Sequence, residues 1–167
     1  MVWLGRPVCH PGCGVTTMNE ILRRRRALIA NPWVDVTHIY PLSAFVGSGV
    51  FVTVTYSQNY TVMTATTTGS AGTYRNAVNP FVTENGYRYK ITCNVNPTGG
   101  PCRIRGRTAE GTIIASITQE YIENQRDISI KFDHNPNLAV IALFITWASS
   151  TTGAGTITQW KVERQKI

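Results

Sequence analysis

Carboxylates are scarce in this chain: Asp and Glu together number nine among 167 residues, and histidines number three, His10, His38 and His134. General acid and base catalysis needs titratable groups held close together. No two carboxylates fall where neighbouring strand ends would bring them together, so no catalytic residue is expected. Asp133-His134-Asn135-Pro136 reads as a turn, because Asn, Asp and Pro favour turn backbones. Gly47-Ser48-Gly49 lacks the frame of a nucleophile elbow, and no phosphate-cradling glycine motif occurs. Long apolar runs are missing as well. The longest, Leu138 to Ile145, falls far short of the ~20 residues of a spanning helix, so membrane insertion is not expected. The first 17 residues are interrupted by Gly5, Pro7, Pro11, Gly12 and Gly14 and hold no apolar stretch of secretory length. They read as an irregular arm, with Met18 a candidate natural start.

Cysteines number four. Cys9 and Cys13 have the spacing of half a zinc site, but Cys93 and Cys102 flank a Pro- and Gly-rich stretch that reads as a hairpin loop. Neither a metal nor any other cofactor is expected, and Cys93 and Cys102 read first as small buried thiols, with a cross-strand bridge as the alternative. The net charge of +7 is concentrated, since Arg23, Arg24, Arg25 and Arg26 supply more than half of it. No aromatic residue interleaves those arginines, so nucleic acid is not an expected partner.

What is present is a β-rich body with a helical preface. Thr17-Met18-Asn19-Glu20 has the form of a capping box, and apolar residues at helical spacing follow it up to the stop at Asn31-Pro32. Ile21, Leu22, Leu28 and Ile29 form the apolar stripe of this helix, Met18 to Ala30, and Arg23, Arg24 and Arg26 its polar side. A helix this short is marginal alone, so the stripe reads as an assembly contact. Residues 1–32 are therefore expected to be an arm and helix, and residues 33–167 one sandwich.

After Pro32, short runs rich in Val, Ile, Thr, Tyr and Phe alternate with Gly, Asn, Pro and Ser clusters. Strands are expected at Val34 to Tyr40, Val50 to Tyr56, Tyr60 to Thr66, Tyr87 to Val95, Cys102 to Thr108, Thr112 to Ile117, Asp127 to Phe132, Leu138 to Trp147 and Thr156 to Glu163. The fold class that follows is all-β, an antiparallel sandwich. Strand parity turns Arg88 and Lys90, and then Arg103, Arg105 and Arg107, away from the core. Read as a hairpin, the two strands gather five cations on one surface, which must meet carboxylates from a neighbouring strand or an anionic partner. Leu138 to Trp147 is apolar at both parities, so something must cover its second face: the helix, the arm or another subunit. Trp33, Tyr74 and Tyr121 are the loop aromatics that could stack on a sugar.

Two resemblances sharpen these expectations. Asn85-Gly86-x-x-Tyr89-x-Ile91, Ile128-x-Ile130-x-Phe132 and the glycine-led final strand from Gly155 resemble the galactose-binding-like jelly rolls of carbohydrate-binding modules. The arginine-rich word from Met18 to Ala30 resembles the short helix that opens many bacteriophage tail, fibre and head-decoration proteins. Together they imply a jelly-roll sandwich preceded by one short basic helix. They also imply a non-enzymatic virion structural or attachment protein, assembled in a host cytoplasm with other virion proteins and copies of itself, a homotrimer by analogy. The alternative is a carbohydrate-binding module acting as an adhesin or enzyme accessory domain, whose partner would be a cell-surface glycan.

Overall fold

The computed structural model describes residues 18–23, 31–48, 52–68, 75–145 and 152–167. The chain divides into two compact units, Met1–Pro32 and Trp33–Ile167. In the first, residues 18–23 are helical (α1), with Ile21 39% and Leu22 44% exposed. Arg24, Arg26, Leu28 and Ile29 lie outside the described residues.

The second unit is a sandwich of two antiparallel sheets, as the alternating runs require. Its strands are β1 (Val34–Asp35), β2 (Val46–Ser48), β3 (Val52–Ser57), β4 (Val62–Thr68), β5 (Arg75–Pro80), β6 (Tyr87–Thr98), β7 (Cys102–Arg107), β8 (Ile113–Ile122), β9 (Arg126–Asp133), β10 (Val140–Ile145) and β11 (Thr152–Lys166). The first sheet has the order β3-β4-β11-β6-β9 with β1 on β11, and the second the order β2-β5-β10-β7-β8. Period-two alternation makes the core. Tyr89, Ile91, Cys93 and Val95 of β6 and Ile128, Ile130 and Phe132 of β9 turn inward against Ile104 of β7 and Ile141, Leu143 and Ile145 of β10. Each such aliphatic side chain contributes about 1.5–3 kcal/mol by leaving water. One end is closed by stacked aromatics, Tyr40 on Phe81 at 4.0 Å and Tyr89 on Phe132 at 5.8 Å, while the Trp160 indole N–H donates to the Tyr40 carbonyl at 2.8 Å.

The structure departs from the sequence expectation at informative places. The strand expected from Val34 stops at Asp35, whose Oδ1 accepts the Thr37 N–H at 2.9 Å, and a turn closed by Ile39 N–H on the Val36 carbonyl follows. Strands β2 and β5 were not expected, since Val46-Gly47-Ser48 is short and Arg75-Asn76-Ala77-Val78-Asn79-Pro80 lacks a β-branched pattern. Most consequential, β6 and β7 are not a hairpin. Strand β6 pairs with β11 and β9, whereas β7 pairs with β10 and β8, so the segment between them carries the chain from one sheet to the other. Gly99 turns it with φ +86°, a conformation that favours glycine. Cys93 and Cys102 are accordingly buried free thiols on different sheets.

Candidate functional site

The β6-to-β7 crossover divides the five-cation surface in two. On the outer face of the first sheet, Arg88 meets Asp133 at 3.3 Å, Lys90 pairs with Glu163, and Lys161 reaches the same carboxylate at 3.0 Å. The Glu163 carboxyl is held below its ordinary range chiefly by the hydrogen bond from Lys90. Trp33 belongs to this face as well, half-buried with the Lys90 ammonium 5.0 Å from its ring centre.

On the outer face of the second sheet the arginines make something different. Strand β7 alternates Cys102, Ile104 and Gly106 inward with Arg103, Arg105 and Arg107 outward. Cross-strand register sets Arg107 beside Val140, Arg105 beside Ala142 and Arg103 beside Phe144. On the far side of β10, Asn76 of β5 lies beside Phe144 and Val78 beside Ala142. The Arg105 and Arg107 guanidinium groups lie 4.9 and 5.1 Å from the Phe144 ring centre. They cover the second apolar face of β10, leaving Phe144 only 5% exposed. The cover expected from a helix, an arm or another subunit is thus supplied by the neighbouring strand's own side chains.

Glu120 of β8 holds the arginines in place. It accepts a two-point fork from Arg105, Nε to Oε1 at 2.6 Å and Nη2 to Oε2 at 3.0 Å, and lies 3.1 Å from Arg103 Nε. The fork is the main reason its carboxyl titrates below the ordinary range, with the charges of Arg105 and Arg103 adding to it. Arg107 instead donates Nε to the Gly111 carbonyl at 2.7 Å, and Gly111, at φ +90°, lets the side chain pass where a Cβ would stand 2.6 Å from Nη2. The result is a cavity of about 570 Å³ walled by the three arginines, Phe144, Asn76, Gly111 and Ile113. Such an arrangement can hydrogen-bond a polar ligand in fixed directions while offering it a narrow apolar wall.

Comparison with known proteins fits this fold. No family model and no curated protein matches the sequence. Solved structures do. A variant of a family 29 carbohydrate-binding module complexed with mannohexaose aligns over 80% of this chain and 92% of that one, with TM-score 0.54 and 9% identity. A low-affinity xylan-binding module, CBM86 from Roseburia intestinalis, aligns over 81% of this chain and 94% of that one, with TM-score 0.53 and 9% identity. The Trp33–Ile167 sandwich is therefore a jelly roll of the carbohydrate-binding-module type in fold. The enzymatically active domain of tailspike protein 4 of bacteriophage CBA120 covers 75% of this chain at TM-score 0.48, which adds nothing to that assignment.

Among the aromatics expected to touch a sugar, Trp33 stands on the opposite outer face from the arginine cleft, while Tyr74 and the Tyr121 side chain lie outside the described residues. The sequence reading missed Phe144, Asn76 and Glu120 as site residues. Phe144 was visible only as one apolar residue of a two-faced strand. A smaller cavity of about 340 Å³, lined by His38, Pro41, Tyr60, Gln159 and Trp160 among others, was also missed. Tyr60 there is 63% exposed, and both Tyr60 and Gln159 have positive φ. Among the described residues no cluster of His, Cys, Asp or Glu could hold a metal ion, and no helix is long and apolar enough to cross a membrane.

Proposed function

We propose that the Trp33–Ile167 sandwich is a non-catalytic carbohydrate-binding module whose ligand lies on the outer face of the second sheet. The observation that carries this is the cleft itself, lined by the planar donors of β7, two of them tethered by Glu120, and by the Asn76 amide, with Phe144 in its wall beneath the guanidinium groups. A sugar presents hydroxyls with fixed directions around a weakly apolar ring. Groups already locked by ion pairing and stacking meet those hydroxyls with little side-chain entropy left to lose. The fold likeness to carbohydrate-binding modules supports the same conclusion. Hydrolysis would ask for two carboxylates flanking the bond, and Glu120 alone, held ionised by two arginines, is poorly suited to act as a proton donor. A virion setting and self-association gain no support from the comparisons and form no part of the proposal.

The test is native affinity electrophoresis of the full chain through gels holding soluble polysaccharides, neutral and acidic, followed by calorimetry on those that retard it. Retardation that Asn76→Ala and Arg107→Ala weaken, while Tyr60→Ala leaves it intact, is the expected result. No retardation by any polysaccharide, or retardation indifferent to both cleft variants, would overturn the proposal.

A further inference from the structure

We propose that the cleft selects acidic polysaccharides, and that Arg107 is the residue that receives the sugar carboxylate. The inference rests on the carbohydrate-binding reading above and names the ligand class. Three guanidinium groups line the cleft against one carboxylate, and that carboxylate is already engaged by two of them. Among the described residues Arg107 has no carboxylate partner; its Nε goes to a neutral carbonyl, and its Nη groups donate to no side chain or carbonyl of those residues. The contrast with the first sheet is informative. Arg88, Lys90, Lys161 and Arg164 each have a carboxylate of their own chain beside them. Lys131, exposed beside Lys90, also lacks an ion pair among the described residues, but Arg107 differs in sharing a cavity with two further guanidinium groups.

Placement adds to charge. Arg103, Arg105 and Arg107 stand at alternate positions of one strand and so share one face, where like charges repel. An anion lying across them relieves that repulsion. Arg105, 9% exposed, and Arg107 are each held over the Phe144 ring, so their planes are set before any ligand arrives. Partial exclusion of water strengthens each contact they make with an anion. Arg105 shows the two-point contact a guanidinium makes with a carboxylate, through Nε and Nη2; with its Nε given to Gly111, Arg107 keeps Nη1 and Nη2 for an end-on version of that contact with a uronate. At about 570 Å³ the cavity lies in the range of ~300–1,000 Å³ usual for small-molecule sites. Phe144 lies beneath the guanidinium groups and gives no open platform for stacked bases, which favours a sugar acid over a nucleic acid.

The full chain is titrated calorimetrically with polygalacturonate, dextran sulfate, neutral glucomannan and a single-stranded oligonucleotide, at low and at physiological salt. Polygalacturonate is expected to bind at least about tenfold more tightly than glucomannan, and to weaken as salt rises. Arg107→Gln should lose roughly tenfold for polygalacturonate and less for the neutral glycan, so that the preference for the acid falls, and Arg107→Lys should fall between, keeping charge without the fork. Should Arg107→Gln fail to fold, competition on the unaltered chain decides: free galacturonate should displace polygalacturonate where galactose does not. Equal binding of neutral and acidic glycans overturns this inference and leaves the carbohydrate reading standing, whereas binding of neither overturns both. Dextran sulfate or the oligonucleotide binding as tightly as polygalacturonate overturns carboxylate selection in favour of a general polyanion surface.

Discussion

Truncating Phe144 to alanine tests whether the second face of β10 is covered by this chain's own arginines. The side chain is 5% exposed and touches two guanidinium groups at 4.9 and 5.1 Å. Buried Phe→Ala changes cost about 3–5 kcal/mol, and less where the surroundings can collapse into the space. Here the roof is two long side chains and not backbone, so the cost should lie near the bottom of that range, about 3 kcal/mol. Phe144→Leu keeps most of the apolar volume and loses the ring, so about 1–2 kcal/mol is expected, mainly from two cation–π contacts. Urea unfolding of the full chain, followed by tryptophan fluorescence, measures both. A double-mutant cycle pairing Phe144→Leu with Arg107→Gln isolates one contact. Arg107 suits the cycle because no ion pair is broken with it, and a coupling of about 0.5–1 kcal/mol is expected. The reasoning is refuted if Phe144→Ala costs less than about 1 kcal/mol, or if its main effect is to convert an oligomer to a monomer. The latter result would mean that a second copy, and not β7, covers the strand.

Three further outcomes follow from the packing and the titrating groups. Gly106→Ala places a Cβ 2.7 Å from the Ile117 Cβ and 3.1 Å from Leu138 Cδ1, inside the sandwich, and should destabilise by about 1–3 kcal/mol in the same urea assay; an unchanged midpoint would show that the β7 backbone can withdraw. Burial pushes the Cys93 and Cys102 thiols up to about 12, so peptide mapping after mild alkaline alkylation should find both unlabelled in native protein and labelled in urea. Glu120 and Glu163 titrate below their ordinary range because Arg105 and Lys90 hydrogen-bond to them. The stability they contribute is present above the unfolded value of about 4.3 and is lost as pH falls through the lower folded values. The urea midpoint should therefore drop on acidification below about pH 4, and less steeply in Glu120→Gln; an equal drop in both would remove Glu120 from the account.

The alternation of β6 and β9 was legible because each turns one parity wholly inward, so the sequence carried both the strands and their buried faces. The pairing of β6 was not. Asn96-Pro97-Thr98-Gly99-Gly100 has the composition of a hairpin loop, and nothing local distinguishes a return to the same sheet from a crossing to the other. That single ambiguity merged Arg88 and Lys90 with Arg103, Arg105 and Arg107 into one patch, although the two sets face away from each other. The expectation that the cations meet carboxylates from neighbouring strands still describes Arg88, Lys90, Arg103 and Arg105, because it depended on parity alone. The two-faced character of β10 was likewise plain in the sequence, while the identity of its cover depended on the register of β10 with β7. Asn76, Glu120 and Phe144 lie far apart in sequence and meet only through the order β5-β10-β7-β8.

Stability alone gives a poor account of why arginine covers Phe144. An aliphatic side chain at position 105 or 107 would shield the ring without the cost of partly desolvating a guanidinium, and replacing buried charges by well-packed apolar groups is often neutral or stabilising. Glu120 relieves that cost for Arg105, through two hydrogen bonds, and contributes to relieving it for Arg103. For Arg107 the compensation is a hydrogen bond to the Gly111 carbonyl, which satisfies a donor and leaves the charge unbalanced. Gly111 itself has the φ this turn needs and no Cβ in the space the Arg107 side chain fills, so two positions are shaped around holding one cation without a carboxylate in the wall of the cleft. A held charge with no carboxylate beside it among the described residues is what a binding surface keeps available for a ligand, at some expense to folding stability. The same reasoning explains why the paired cations of the first sheet mark no comparable site: their carboxylates already occupy the position a ligand acid would take.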